Sequence, residues 1–189
     1  GVMLLEMLNV LENFNLRDMT HNSSEYIRIV SETMKRATLD KEMFVGDPLF
    51  IDVPLEKLLS KEYASEVSNK IKKNERTFIN RVTQIEPKNT THVSVIDQEG
   101  NCVTMTHSLG MPSGVITDGL GFMFNGCMAV FDPRPGRAGS IAPGKSRFSS
   151  LAPTIVTKDG NPHIVLGAPG GTQIAMGILQ AIINVIDFD

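Results

Sequence analysis

Thr90 opens a run of alternating polar and apolar residues, "TTHVSVID", directly after a polar, aperiodic stretch at residues 72–89. A threonine there is an ordinary strand residue by propensity. It can also carry nucleophile and base together once the bond before it is cut. Its hydroxyl attacks an acyl carbon while its own α-amine takes the proton. Other residues keep company with that chemistry. "CVTMTHS" follows after "QEG", so a three-residue hairpin with Gly100 in the left-handed position pairs Asp97 with Asn101 and sets Ser108 opposite Thr90. A two-residue loop would set Leu109 there instead. Ser149 and Ser150 precede a second strand-like run, and Gly170 and Gly171 precede an apolar helical run, where paired amides can form an oxyanion hole. A histidine triad is not suggested. There is no G-x-S-x-G motif, and His21, His92, His107 and His163 read as strand or surface residues.

A second motif competes for attention. "GSIAPGKS", residues 139–146, matches the phosphate-loop pattern G-x-x-x-x-G-K-S. A phosphate loop follows a hydrophobic strand and opens a helix, whose N-terminus holds the anion. Here "DPRPGRA" precedes the motif and "RFSSLAPTIV" follows it, so both flanks are wrong and no nucleotide is expected.

Composition narrows the field further. The 189 residues suffice for one domain with a sizeable core, and 41% hydrophobic with 21% charged residues is ordinary for a globular chain. A net charge of −3, dispersed basic residues and the absence of Trp argue against a nucleic-acid partner. Cys102 and Cys127 form no C-x-x-C pair and no ligand spacing with the histidines, so neither metal nor cofactor is expected. Whether the two cysteines pair stays open, as does the compartment.

The elements that must position Thr90 come in two groups. Val2, Leu5, Leu8 (or Met7), Leu11 and Phe14 keep helical spacing. Asn22 with Glu25 predicts a capping box for a helix whose Tyr26, Ile29, Val30, Thr33 and Ala37 share a face. "VGDP" ends it, Pro54 opens a further turn, and Ser60 caps a helix carrying Ala64, Val67 and Ile71. After Thr90 the period becomes 2. Residues 110–121 read as turns, "GFMFNGCMAVF" as an interrupted strand, and "DPRPGRAGSIAPGK" as a long loop. "PTIVTK" and "HIVLGA" then flank a turn at Asp159, Gly160 and Asn161. Residues 172–186 are apolar nearly all round, as in a helix buried between layers. The pattern predicts a layered α+β architecture: a helical part at 1–75, a linker at 76–89 and a strand-rich part at 90–189. Because it begins and ends within helical patterns, the chain reads as a piece of something longer.

The motifs "TTHVSVID.EGN.V..T", "SSLAPTIV" and "LGAPGG", with "LNVLENF", "GDP.F..VP" and "LQAIINVIDF", resemble the γ-glutamyltranspeptidase family of N-terminal-nucleophile hydrolases over nearly the whole chain. The resemblance implies a four-layer αββα sandwich, incomplete in this chain, and self-cleavage between Asn89 and Thr90 into a large and a small subunit that stay together as a heterodimer. It implies Thr90 as nucleophile and Ser108 as the hydroxyl that orients it, in place of the family's second Thr. It further implies Ser149 and Ser150 on the donor carboxylate, and the Gly170 and Gly171 amides as oxyanion hole. The acyl group of a small γ-glutamyl donor would pass through a Thr90 ester to water or to an amino-acid or peptide amine. The family is commonly periplasmic, secreted or at the cell surface. Three positions depart from the glutathione-type pattern: Gly110, Cys127 and Val130 stand where Asn, Gln and Asp hold the donor's α-ammonium. An ammonium buried there without a carboxylate costs several kcal/mol. Glutaryl-type amides, polyglutamyl chains and acylated β-lactams therefore enter as alternative donors. A catalytically silent binding or structural homologue is the alternative of another class.

Overall fold

The computed structural model describes residues 1–79 and 90–189. Most of the expected linker, Asn89 included, lies outside the described residues. The first part is helical, with α1 (Val2–Leu11), α2 (Ser24–Phe44), a single turn α3 (Leu55–Leu58) and α4 (Lys61–Lys72). Their apolar faces meet in one core: Leu4, Met7, Val10 and Leu11 against Tyr26, Ile29, Val30 and Ala37, and against Ala64, Val67 and Ile71. Ser60 caps α4 by accepting the Tyr63 N–H at 3.1 Å. The cap of α2 is Ser23 rather than Asn22. Ser23 Oγ accepts the Tyr26 N–H at 3.3 Å from extended backbone, whereas Asn22 sits at φ 58°. Pro48 disfavours helical backbone at Asp47, and α2 has already stopped at Phe44.

That core also contains charge. Glu6 of α1 and Asp40 of α2 are 2% and 0% exposed, and Tyr63 donates to Asp40 Oδ2 at 2.6 Å while Arg36 reaches it at 3.1 Å. Glu6 Oε1 and Asp40 Oδ1 are left without a donor, and one proton held between the two carboxyl groups satisfies both. Burial, then the contact with Asp40, pushes the Glu6 carboxyl up from its ordinary 4.5 to about 9. Between those values the folded state binds a proton that the unfolded state has lost, so stability falls as pH rises, by at most ~1.4 kcal/mol per unit. The expected outcome is a lower thermal midpoint for the full-length protein at about pH 8 than at about pH 6. Glu6→Gln, which donates to Asp40 without titrating, should flatten that slope.

The second part is built from hairpins. β1 (Thr90–Ile96) pairs antiparallel with β2 (Cys102–Ser108) in the register expected from the three-residue loop, Thr90 opposite Ser108. β3 (Pro112–Ile116) pairs with β4 (Met123–Asn125), and β5 (Thr154–Lys158) with β6 (Asn161–Leu166). β3 replaces part of the expected turns at 110–121. The expected strand "GFMFNGCMAVF" shortens to β4, and Cys127–Val130 becomes a 3-10 turn. The Cys127 N–H donates to Asn125 Oδ1 at 3.0 Å and the Gly126 N–H to the Met111 carbonyl at 2.5 Å, which bends the chain out of the sheet. Asp159 and Gly160 both have positive φ, so they alone make the tight turn and Asn161 already belongs to β6.

The chain returns to the helical layer through α5 (Ile174–Ile183), prolonged by a π turn, Asn184–Phe188. By length and composition this run could cross a membrane. Here Ile174, Ile178, Leu179, Ile182 and Ile183 join the core shared with α1. Within this chain α1 packs on one side of the helix, and Gln180, Ala181 and residues 184–186 lie on the other. Helices and small antiparallel sheets together make an α+β fold.

Candidate active site

Side chains alternate along a strand, so Thr90, His92 and Ser94 share one face of β1, and Ser108, Thr106 and Thr104 oppose them on β2. Thr90 Oγ1 donates to Ser108 Oγ at 3.0 Å. His92 Nδ1 lies 2.9 Å from Thr106 Oγ1, and its Nε2 lies 3.0 Å from Ser94 Oγ and 3.1 Å from Thr104 Oγ1. Thr104 also donates to the Leu166 carbonyl at 3.2 Å, which joins this hairpin to β6. The His92 ring lies flush against Gly167, where a Cβ would stand only 2.3 Å from Cε1. His92 is thus a strand histidine, as its position suggested, but it also seats the loop after β6. The sequence signal for that contact is faint, a lone glycine after "HIVL".

Ser108 links Thr90 to the next turn. Its Oγ accepts the Gly110 N–H at 3.0 Å. Gly110 is buried at φ 64°, and any Cβ there would meet Cys127 Sγ at 2.9 Å. Only glycine leaves room for the thiol. Val130, half-buried, ends the same 3-10 turn as Cys127. Direct contacts therefore run from Thr90 through Ser108 and Gly110 to Cys127.

The remaining candidates arrive on the β5–β6 hairpin. Ser149, exposed, and Ser150, half-buried, lie just before β5, and Ser149 Oγ accepts the Leu151 N–H at 3.2 Å. Gly170 and Gly171, at φ 133° and 56°, follow β6 and lead through a 3-10 turn into α5. Both conformations disfavour a side chain. The hairpin that carries these four residues meets β1 and β2 through the Thr104–Leu166 hydrogen bond and the Gly167–His92 contact.

The phosphate-loop letters have another use. Residues 139–146 stand between neither strand nor helix, and Lys145 Nζ donates to the Ala138 carbonyl at 2.8 Å. Asp47 accepts the Ser146 N–H at 2.7 Å. The loop is fastened to the helical part by that bond. Among the described residues no group of three His, Cys, Asp or Glu side chains gathers to hold a metal, and Cys102 and Cys127 are free thiols.

The family model described as Gamma-glutamyltranspeptidase matches residues 1–189. The glutathione hydrolase proenzyme of Escherichia coli (strain K12) is 33% identical over 205 residues, covering 100% of this chain and 35% of its own. The acylase ACY 1 proenzyme of Pseudomonas sp. (strain V22) is 38% identical over 190 residues, covering 99% of this chain and 34% of its own. Among solved structures, cephalosporin acylase from Bacillus halodurans superposes with a TM-score of 0.81 at 27% identity, over 100% of this chain and 34% of that one. The chain thus spans about a third of the length of these relatives.

Proposed function

The chain belongs to the gamma-glutamyltranspeptidase family, and from that premise we propose that the full-length protein is a self-processing amide acyl transferase or hydrolase with Thr90 as nucleophile. The observation that carries the proposal is the Thr90–Ser108 hydroxyl pair at 3.0 Å on the first residue of β1. Cleavage of the bond between Asn89 and Thr90 frees the Thr90 α-amine. The helical part through residue 75 then belongs to a large subunit and residues from 90 onward to a small one. The shared core of α1 and α5 supports their staying together as a heterodimer. The complete protein is a four-layer αββα sandwich.

In the reaction the freed amine takes the Thr90 hydroxyl proton as Oγ1 attacks the donor carbonyl carbon. Ser108 orients Oγ1, and the amides of Gly170 and Gly171 stabilise the oxyanion. Collapse of the tetrahedral species breaks the C–N bond. The amine leaves with the proton, and the acyl group remains as an ester on Thr90. Water or an acceptor amine then repeats the sequence on that ester. Ser149 and Ser150 hold the donor's distal carboxylate.

Gly110, Cys127 and Val130 favour a donor whose acyl chain lacks the α-ammonium, as in glutaryl amides, over free glutathione. The similarity to an acylase as well as to a glutathione hydrolase supports that reading. A glutaryl electrophile offered to the processed protein should leave one adduct, on Thr90, by peptide mass mapping. A processed protein that takes up neither a glutaryl nor a γ-glutamyl electrophile is a silent homologue, and the enzymatic reading fails.

A further inference from the structure

Asp47 lies three residues past the end of α2, the helical part's longest helix, and has two roles that its position in "VGDP" does not announce. Locally its Oδ1 accepts the Leu49 N–H at 3.0 Å, and its carbonyl accepts the N–H groups of Phe50 and Ile51 at 2.9 and 3.1 Å. This is a turn closed by an Asp side chain. Its other oxygen leaves the turn altogether and accepts the Ser146 N–H at 2.7 Å, 99 residues along the chain. Asp47 is 6% exposed. The backbone N–H groups of Ser146 and Leu49 hold its carboxyl below the usual range, so it is a carboxylate at neutral pH. A near-buried carboxylate with two amide donors is a firm anchor, because charge-assisted bonds are the stronger kind.

The contacts around it pin the same loop. Gly46 lies so close to the Ala138 carbonyl that a Cβ would stand 2.5 Å from its oxygen. Lys145 Nζ donates to that carbonyl at 2.8 Å and sits 5.8 Å from the Phe50 ring centroid. Lys41 lies 4.7 Å from the centroid of the Phe148 ring. Residues on both sides of Ser146 are therefore held by the helical part, three positions before Ser149.

We propose that Asp47 is a positioning residue for substrate: through the Ser146 amide it fixes the segment that presents Ser149 and Ser150 to the donor carboxylate. This rests on the acyl-transfer reading given above. It adds that the carboxylate site of the small subunit is held by a residue of the large one. After cleavage that control is noncovalent, so a small subunit separated from its partner loses donor affinity as well as core packing.

The test uses the full-length, processed protein and two anilide donors, one glutaryl and one butyryl, the second being the first with its distal carboxylate replaced by hydrogen. Asp47→Asn keeps the shape and one acceptor but turns an N–H toward an N–H. It should raise KM for the glutaryl donor about ten-fold, with little change in kcat, and leave kcat/KM for the butyryl donor unaltered. Combined with Ser150→Ala, its effect on the glutaryl donor should be less than additive, since both act on one contact. Lys145→Met loosens the same loop from its other anchor and should show the same selectivity, with no need for Asp47→Asn to fold. Equal losses on both donors, or full additivity with Ser150→Ala, overturn the proposal. If the wild type acylates Thr90 with both donors and Asp47→Asn matches it, this inference alone fails. If the wild type acylates with neither, the acyl-transfer reading fails and takes this one with it.

Discussion

Thr90→Ala should leave the full-length protein as a single uncut chain, and no acyl adduct should form on it. Both losses have one cause. The hydroxyl that donates to Ser108 at 3.0 Å is the only group at the head of β1 proposed to attack a carbonyl, first that of Asn89 and later that of the donor. Alanine keeps the strand, because the register from Thr90 to Ile96 is set by backbone pairing with β2 and by the hairpin turn. The variant should therefore melt as a folded protein on circular dichroism while running as one band. Removing a covalent nucleophile costs on the order of 10⁴-fold or more in turnover. Thr90→Ser, which keeps a hydroxyl, should process and turn over with a reduced rate. Cutting of Thr90→Ala at the wild-type rate would detach the chemistry from this residue.

The second large effect concerns the donor. A glutaryl anilide should be turned over with kcat/KM about 100-fold above its γ-glutamyl counterpart, which differs only by the α-amino group. An ammonium brought among Gly110, Cys127 and Val130 loses water and gains no carboxylate from those three side chains. The cost is of the order of 3 kcal/mol, which corresponds to about two decades in rate. Matched steady-state kinetics on the two anilides reads the ratio directly. Val130→Asp, which places a carboxylate on the same 3-10 turn, should narrow the ratio. Gly110→Asn alone should not, because Cys127 Sγ already fills the space that the new Cβ needs. A γ-glutamyl donor used as well as the glutaryl one would mean that another group holds the ammonium.

Much of this arrangement was legible from residue order. Alternation in "TTHVSVID" and "CVTMTHS" narrowed the residue facing Thr90 to Ser108 or Leu109, and the pairing of β1 with β2 selects Ser108. The strand there depends on a local pattern that tertiary packing does not override. Where the reading failed, a nonlocal contact decided. Residues 112–116 look like turns until β4 supplies a partner, and Cys127–Val130 leaves the strand because Asn125 and Met111 capture its backbone. The cap of α2 moved by one residue, since Ser23 and Asn22 both suit an N-cap and only backbone conformation separates them. Asp47 and His92 were missed as positioning residues because their partners, Ser146 and Gly167, lie 99 and 75 positions away in sequence. The phosphate-loop letters show the converse, a strong local match whose flanks deny it a helix N-terminus.

N-terminal sequencing of the purified full-length protein tests the central claim most directly. The account predicts two chains after expression, the smaller beginning Thr-Thr-His-Val-Ser at Thr90. An uncut wild-type chain, or a small chain that begins at any other residue, would contradict it.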